Sequence, residues 1–228
     1  MSSLPRPLKW PPIFPLEKGL VLWLPLDERS GNRALDRSGK GRHVTLYLPV
    51  WVAAKRGTGL YFNGLTNYGY TANNVFTQAD FQGGGTLEIL IMPKSFVATN
   101  VTYLSIEGRF HLSRTAGQTL FVGVVYDTAF HYVYSNAAPS LNTWYHLALV
   151  FTGSALYLYV NGVLQADWEL CGVPTIDDVS RPVMIAANTP TTLYLPNIVM
   201  KYAKVYLRAL TAAEIKRHYE SELLLARH

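Results

Sequence analysis

The chain has a single cysteine, Cys171, in 228 residues. It therefore forms no intrachain disulfide and builds no thiolate cage for a metal. Charge is scarce too: Asp, Glu, Lys and Arg make up 15% of the residues, against ~25% in an average soluble domain, which argues against disorder and long solvated helices. No uninterrupted apolar run approaches the ~18 residues of a membrane span. The opening stretch, MSSLPRPLKWPPIFP, has prolines where a signal peptide needs an apolar helix. The expectation is a chain synthesised in the cytoplasm without a signal peptide.

What the chain has instead is apolar and aromatic surface. Apolar residues reach 49%, with 15 Tyr and 5 Trp, a composition suited to pleated, half-buried β-structure. The net charge of +5 is local: residues 1–60 hold ten Lys/Arg against four Asp/Glu (+6), and the remainder hold ten against eleven (−1). Much of that basicity sits in a Gly/Ser loop with Arg29, Arg33, Arg37, Lys40 and Arg42, neutralised in part by Asp27, Glu28 and Asp36. No helix-turn-helix, zinc spacing or RNP-like string accompanies it, so no specific nucleic-acid partner is expected.

Along the chain, residues 1–18 interleave Pro5, Pro7, Pro11, Pro12 and Pro15 with Leu4, Leu8, Trp10, Ile13 and Phe14. Proline at that density favours extended backbone and cannot build its own core, so these side chains need a surface to lie on. The segment reads as an arm that packs back on the parent domain or ties to a neighbouring subunit. From residue 19 to 210, short β-rich runs alternate with turn signals. The expected strands cover 20–26, 43–48, 59–64, 86–93, 102–106, 119–126, 131–135, 144–151, 155–162, 183–187 and 200–207, too many for a minimal seven-stranded fold. Asn161-Gly162 after the alternating ALYLYV is a hairpin signal, because both residues accept the positive φ of a type I′ turn. Thr211-Ala-Ala-Glu214 is a capping box that opens a C-terminal helix over 211–228, expected to pack on the sandwich. Leu223, Leu224 and Leu225 offer that helix apolar surface for a protein partner.

Several segments, in order, resemble the laminin G-like jelly rolls of the concanavalin A-like lectin/glucanase superfamily. LVLWLPLDERSGNRALDRSGKGRHVTL is similar to the opening strand, its acidic loop and the D-x-SG-x-G-x-H strand entry. GLYFNGLTNY, TLEILIMPK, WYHLALVFTGSALYLYVNG and AKVYLRALTAAEI follow in register with later elements of the family. The resemblance implies an all-β fold, a two-sheet antiparallel jelly-roll sandwich with a C-terminal α-helix and an extended N-terminal arm. It also implies a structural calcium held by an early acidic loop and an Asp of the penultimate strand. Here Lys201 stands where that Asp would be, and a lysine cannot ligate a hard cation. No cofactor is therefore expected, and Asp27, Asp36, Asp177 and Asp178 are the remaining candidate oxygen donors.

Catalysis of the glucanase kind needs two carboxylates roughly 5 Å apart, supplied in those relatives by E-x-D-x-x-E. No such string occurs, and Glu88 and Glu107 stand isolated on separate strands. A lyase-like set of His111, Arg114, Tyr126, His131, Tyr132 and Tyr134 has the residue types without the motif. His43 and His146 read as hydrogen-bonded structural histidines. The expectation is no enzyme. Sugars stack on exposed rings and hydrogen-bond at their edges, and two segments have that composition. They supply Tyr68 and Tyr70, and Tyr126, Asp127, His131, Tyr132, Tyr134 and Asn136, as candidate glycan-binding residues. Strand alternation sends half of such rings inward. The arm, the leucine-rich helix and the low charge suit a subunit of a larger assembly, such as a decoration or attachment protein at a virus-particle surface, with other subunits as partners. A free-standing lectin-like module is the alternative.

Overall fold

The computed structural model describes residues 17–55, 57–72, 75–116, 119–176 and 182–224. The arm residues Leu4, Leu8, Trp10, Ile13 and Phe14 and the acidic pair Asp177 and Asp178 lie outside them. In chain order the strands are β1 (Leu20–Leu24), β2 (Arg33–Ala34), β3 (Val44–Tyr47), β4 (Val50–Ala53), β5 (Thr58–Asn63) and β6 (Tyr68–Tyr70). After a 3₁₀ turn come β7 (Gly85–Pro93), β8 (Val101–Ile106), β9 (Phe110–Arg114), β10 (Phe121–Tyr126) and β11 (Phe130–Tyr134). They are followed by β12 (Tyr145–Phe151), β13 (Ala155–Val160), β14 (Val163–Leu170), β15 (Val183–Ile185), β16 (Asn197–Tyr206) and the helix α1 (Ala212–Leu224).

Every pairing is antiparallel, in two sheets. One runs β14-β13-β12-β7-β16-β5-β4 with β1 paired to β16, and the other runs β11-β10-β9-β8-β15-β6-β3-β2. The jelly-roll sandwich expected from the sequence is the observed fold. Strands β2, β4, β6, β9 and β14 were not in the sequence expectation. Most are short, and β14 carries Gln165, Asp167 and Glu169, so neither length nor apolar content marks it.

The core fills the space between the sheets because each strand alternates. On β7, Leu87, Ile89 and Ile91 point inward, as do Leu147, Leu149 and Phe151 on β12 and Phe110 and Leu112 on β9. Inward Gly123 on β10 meets this core: a Cβ there would sit 2.1 Å from Leu149 Cδ1.

The sequence motifs have structural roles. Asn161 and Gly162 have φ of +52° and +75°, as the predicted turn requires. The Asn161 side-chain oxygen also accepts the His146 amide at 2.9 Å. In the 36–43 loop, Asp36 accepts from the amides of Trp23, Ser38 and Arg42 and from the Ser38 hydroxyl, at 2.8 to 3.0 Å, while the Asp36 amide donates to His43 Nδ1 at 3.0 Å. Burial would raise the Asp36 pKa, but these donors outweigh it and hold the carboxyl below its ordinary value. Arg42 donates to the Val21 and Val75 carbonyls, so part of the basic loop serves folding.

Helix α1 packs on the outer face of the first sheet. Its Thr211–Glu214 box forms in both directions, and Arg208 clamps Glu214 with bonds of 2.9 and 2.6 Å. Ile215 closes a second small core with Leu20, Ala148, Val150, Tyr159, Tyr206 and Leu210.

Candidate functional site

Three regions bear on function, and two of them hold outward-facing clusters of polar or aromatic residues. The first lies under α1 and is closed. Glu88 is fully buried, with Tyr202 Oη at 3.0 Å, His218 Nδ1 at 2.7 Å, Lys204 Nζ at 3.7 Å and His146 Nε2 at 3.3 Å. The His146 contact is close enough for charge attraction but makes no hydrogen bond, so both ring nitrogens of this buried imidazole lack one. Desolvation would push Glu88 up. Lys204 and the two histidines more than offset it and hold the carboxyl well below the usual carboxylate range. Tyr219 stacks on His146 and Tyr206 on His218. No reactant reaches this cluster, and its chemistry is that of a buried ion network pinning the helix.

The second cluster is open and lies on the outer face of the other sheet. Parity places Phe130, Tyr132 and Tyr134 of edge strand β11 on that face, and sends Val133 into the core. Their rings form a row with Tyr126: centroids are 4.8 Å apart for Tyr126–Phe130, 6.1 Å for Phe130–Tyr132 and 6.3 Å for Tyr132–Tyr134. Phe130 is 50% and Tyr132 39% exposed.

Beside the row, β9 turns His111 and Ser113 outward, Nδ1 to Oγ at 2.5 Å, and Ser113 donates to Thr102 Oγ1 of β8 at 3.2 Å. The connection from β15 to β16 folds over the middle of the sheet. There Asn188 Oδ1 sits 3.3 Å from Ser105 Oγ, and the Tyr194 carbonyl accepts from the Thr102 amide at 2.9 Å. Between that connection and the ring row runs a groove of about 220 Å³, lined by Phe130, Tyr132, His111, Ser113, Asn188 and Tyr194 among others. Burial pushes His111 down to about 4, so its imidazole is neutral at pH 7.

The register unites both aromatic segments found in the sequence. Tyr132 pairs with Val124, Val124 with His111, His111 with Ser105, Ser105 with Met184 and Met184 with Tyr70. Tyr70 therefore shares a face with Tyr132, five strands away. Tyr47, Tyr68 and Tyr70 form a second ring row, with centroids 5.3 and 6.1 Å apart, beyond the covering connection.

The remaining candidates are not brought into the groove. Asp127, His131 and Asn136 hold the edge of β11 against β14. His131 bridges Asp127 Oδ1 at 3.0 Å and Glu169 Oε1 at 2.9 Å. Glu169, Asp167 and Gln165 accept the amides of Tyr132, Tyr134 and Asn136 at 2.7, 2.9 and 2.8 Å. Burial works against the charge on Asp127, but amides of Thr128, Ala129 and Gly172 and the His131 ring depress its pKa strongly. The two carboxylates raise His131 despite its own desolvation. Arg114 faces inward and donates to the Val97 and Thr115 carbonyls. Of the lyase-like set, only His111, Tyr126, Tyr132 and Tyr134 share the open face.

Phe130, Ser113, Asn188 and Tyr194 were missed from the sequence. The Phe-x-Tyr-x-Tyr spacing would have added Phe130 and removed His131, whereas no local signal marks Asn188 or Tyr194.

Third, the candidate calcium region carries no cluster. Asp36 is engaged as described, Lys201 Nζ donates to the Pro25 carbonyl at 2.8 Å beside Asp27, and no group of three or more His, Cys, Asp or Glu fit for a metal occurs among the described residues. Among the same residues, no helix is long and apolar enough to cross a membrane.

A two-sheet antiparallel sandwich with an open, ring-bearing sheet face defines the class as a lectin-like jelly roll. The chain belongs to the concanavalin A-like lectin/glucanases superfamily, whose family model matches residues 62–216. No curated protein matches it. Among solved structures it is similar to the binding domain of Paraclostridial Mosquitocidal Protein 1 (TM-score 0.71, 16% identity, 89% of this chain and 52% of that one). It is also similar to the binding domain of Botulinum Neurotoxin DC in complex with SialylT (0.68, 12%, 90% and 52%). A third is domain 4 of AbnA, an extracellular arabinanase from Geobacillus stearothermophilus, in complex with arabinotriose (0.65, 14%, 87% and 97%). The chain spans about half the length of the two toxin domains, and at these identities the likeness is one of fold.

Proposed function

We propose that this chain is a non-catalytic carbohydrate-binding module that takes a sugar in the groove between the Phe130–Tyr132–Tyr134 row and the Asn188–Tyr194 connection. The observation that carries the reading is that exposed ring row beside a wall of neutral hydrogen-bonding groups: the rings offer faces for a pyranose or furanose, and Ser113, His111 and Asn188 offer edges. The groove lining has no carboxylate, while Glu88 is sealed under α1, so the paired acids of glycoside hydrolysis are lacking there. Two neighbours of this fold are in complex with SialylT and with arabinotriose, which supports the same reading.

A glycan array followed by calorimetry tests it. Binding should fall at least tenfold in Tyr132→Ala and stay within about twofold of wild type in Tyr70→Ala, since the β15–β16 connection separates the two rows. Equal loss in both variants, or none, removes this groove as the site.

A second reading, attachment to a larger assembly such as a virus particle, is favoured by an apolar strip on edge strand β14. Leu164, Trp168 and Leu170 are 47, 55 and 66% exposed there, and Trp168 stacks on Tyr157. Deletion of residues 2–16, which spares the Glu17 carboxylate bonded to Tyr206 Oη, should leave a folded domain that no longer assembles with its neighbours. Retained assembly in light scattering excludes the arm as the tether.

A further inference from the structure

We propose that the groove selects uncharged saccharides and discriminates against sialylated, uronic or sulfated ones, an inference that rests on the carbohydrate-binding reading above. An anionic sugar is held most strongly by a cation whose donors are free to meet it. The two basic side chains of the groove lining are His111 and Arg114. His111 carries no charge at neutral pH, because burial disfavours its protonated form, and its Nδ1 is engaged with Ser113 Oγ. Arg114 is 2% exposed, turned to the inner side of β9, with its guanidinium bonded to the Val97 and Thr115 carbonyls and lying 5.1 Å over the Phe96 ring. Arg109 stacks 4.2 Å over Tyr126, at the end of the ring row and outside the groove lining.

The charges along the far edge of β11 are mainly negative. Asp127, Asp167 and Glu169 line the far side of β11 with His131 among them, and two of them hold the amides of Tyr132 and Tyr134 directly. Burial first raises both hydroxyl pKa values, followed by Glu169 for Tyr132 and by Tyr132, Asp167 and Glu169 for Tyr134. An anionic sugar stacked on Tyr132 and Tyr134 would approach that carboxylate row, whereas Arg109 is stacked on Tyr126 at the other end of the rings. A neutral sugar needs only ring faces and the hydroxyl, imidazole and amide groups already in place.

The test compares neutral xylo-, gluco-, manno-, galacto- and arabino-oligosaccharides with sialylated, glucuronylated and sulfated oligosaccharides on one array. The best neutral probe is then titrated at low and at high salt. Neutral probes should lead by at least tenfold and their affinity should change less than about twofold with salt, because no ion pair is screened. Tyr132→Ala and, as a second variant, Phe130→Ala should each weaken them. Leading hits that are anionic and weaken steeply with salt, yet remain Tyr132-dependent, overturn the selectivity and leave the carbohydrate reading standing. Silence across all probes overturns both, and neutral binding that ignores Tyr132 and Phe130 overturns the site.

Discussion

Tyr132, Val133 and Tyr134 are consecutive on β11, and parity alone gives them opposite fates, two rings on the outer face and one isopropyl group in the core. His111 shows how the same face tunes a titratable group. Its folded pKa, about 4, lies below the unfolded value of 6.5, so between those values the unfolded chain binds more protons. Stability is therefore fully present above pH 6.5, falls as pH drops and is lost through pH 4, by roughly 3 kcal/mol at ~1.4 kcal/mol per pH unit. Urea titrations at pH 7 and pH 4.5 should show this slope, and His111→Asn should flatten it. Glu88 acts lower. Its depressed pKa contributes stability above the ordinary glutamate value that disappears on acidification. Glu88→Ala should cost ~3 kcal/mol at pH 7, because it strands Lys204 in a partly buried network, which chemical denaturation would measure.

At the scale of elements, β11 and β14 are edge strands of their two sheets, and unpaired edge amides invite aggregation. The chain satisfies them with side chains: Gln165, Asp167 and Glu169, at alternate positions on β14, accept three amides of the β11 segment. Glu169→Ala should raise hydrogen exchange at the Tyr132 amide by tenfold or more while leaving the interior strand β12 unchanged. An unaltered Tyr132 amide would show that water or β10 protects it instead. The hairpin turn at Asn161-Gly162 and the capping box at Thr211 were both legible in sequence, because each is made by residues within four positions of one another. The β14 clamp was not legible, since its acceptors and donors are 29 to 37 residues apart.

For the whole molecule, α1 works as a cover rather than an appendage. Removing it by truncation after Leu210 would bare Ala148, Val150 and Tyr206 and take His218 from Glu88. Losing Ile215 burial at ~2 kcal/mol and the ion network at ~3 kcal/mol should lower Tm by roughly 10–20 °C, at ~2–4 °C per kcal/mol. A smaller fall in calorimetry would mean that the sandwich is self-sufficient. The same scale disposes of the net charge as a guide to function: Arg42, Arg114 and Arg208 hold carbonyls or Glu214, and the groove beside the ring row is lined by no carboxylate.

Local sequence determined the β-rich class, the jelly-roll family, the hairpin turn, the helix cap and the segments from which exposed rings would come. These depend on alternation, backbone preference and short-range hydrogen bonding, which a chain carries whatever lies opposite. Tertiary structure alone decided which rings face outward together, that Asp127, His131 and Asn136 serve an edge clamp, and that Asn188 and Tyr194 close a groove over β8 and β9. Those outcomes depend on inter-strand register and on a loop's path across a sheet, where contacts join residues that are neighbours only after the two sheets have formed.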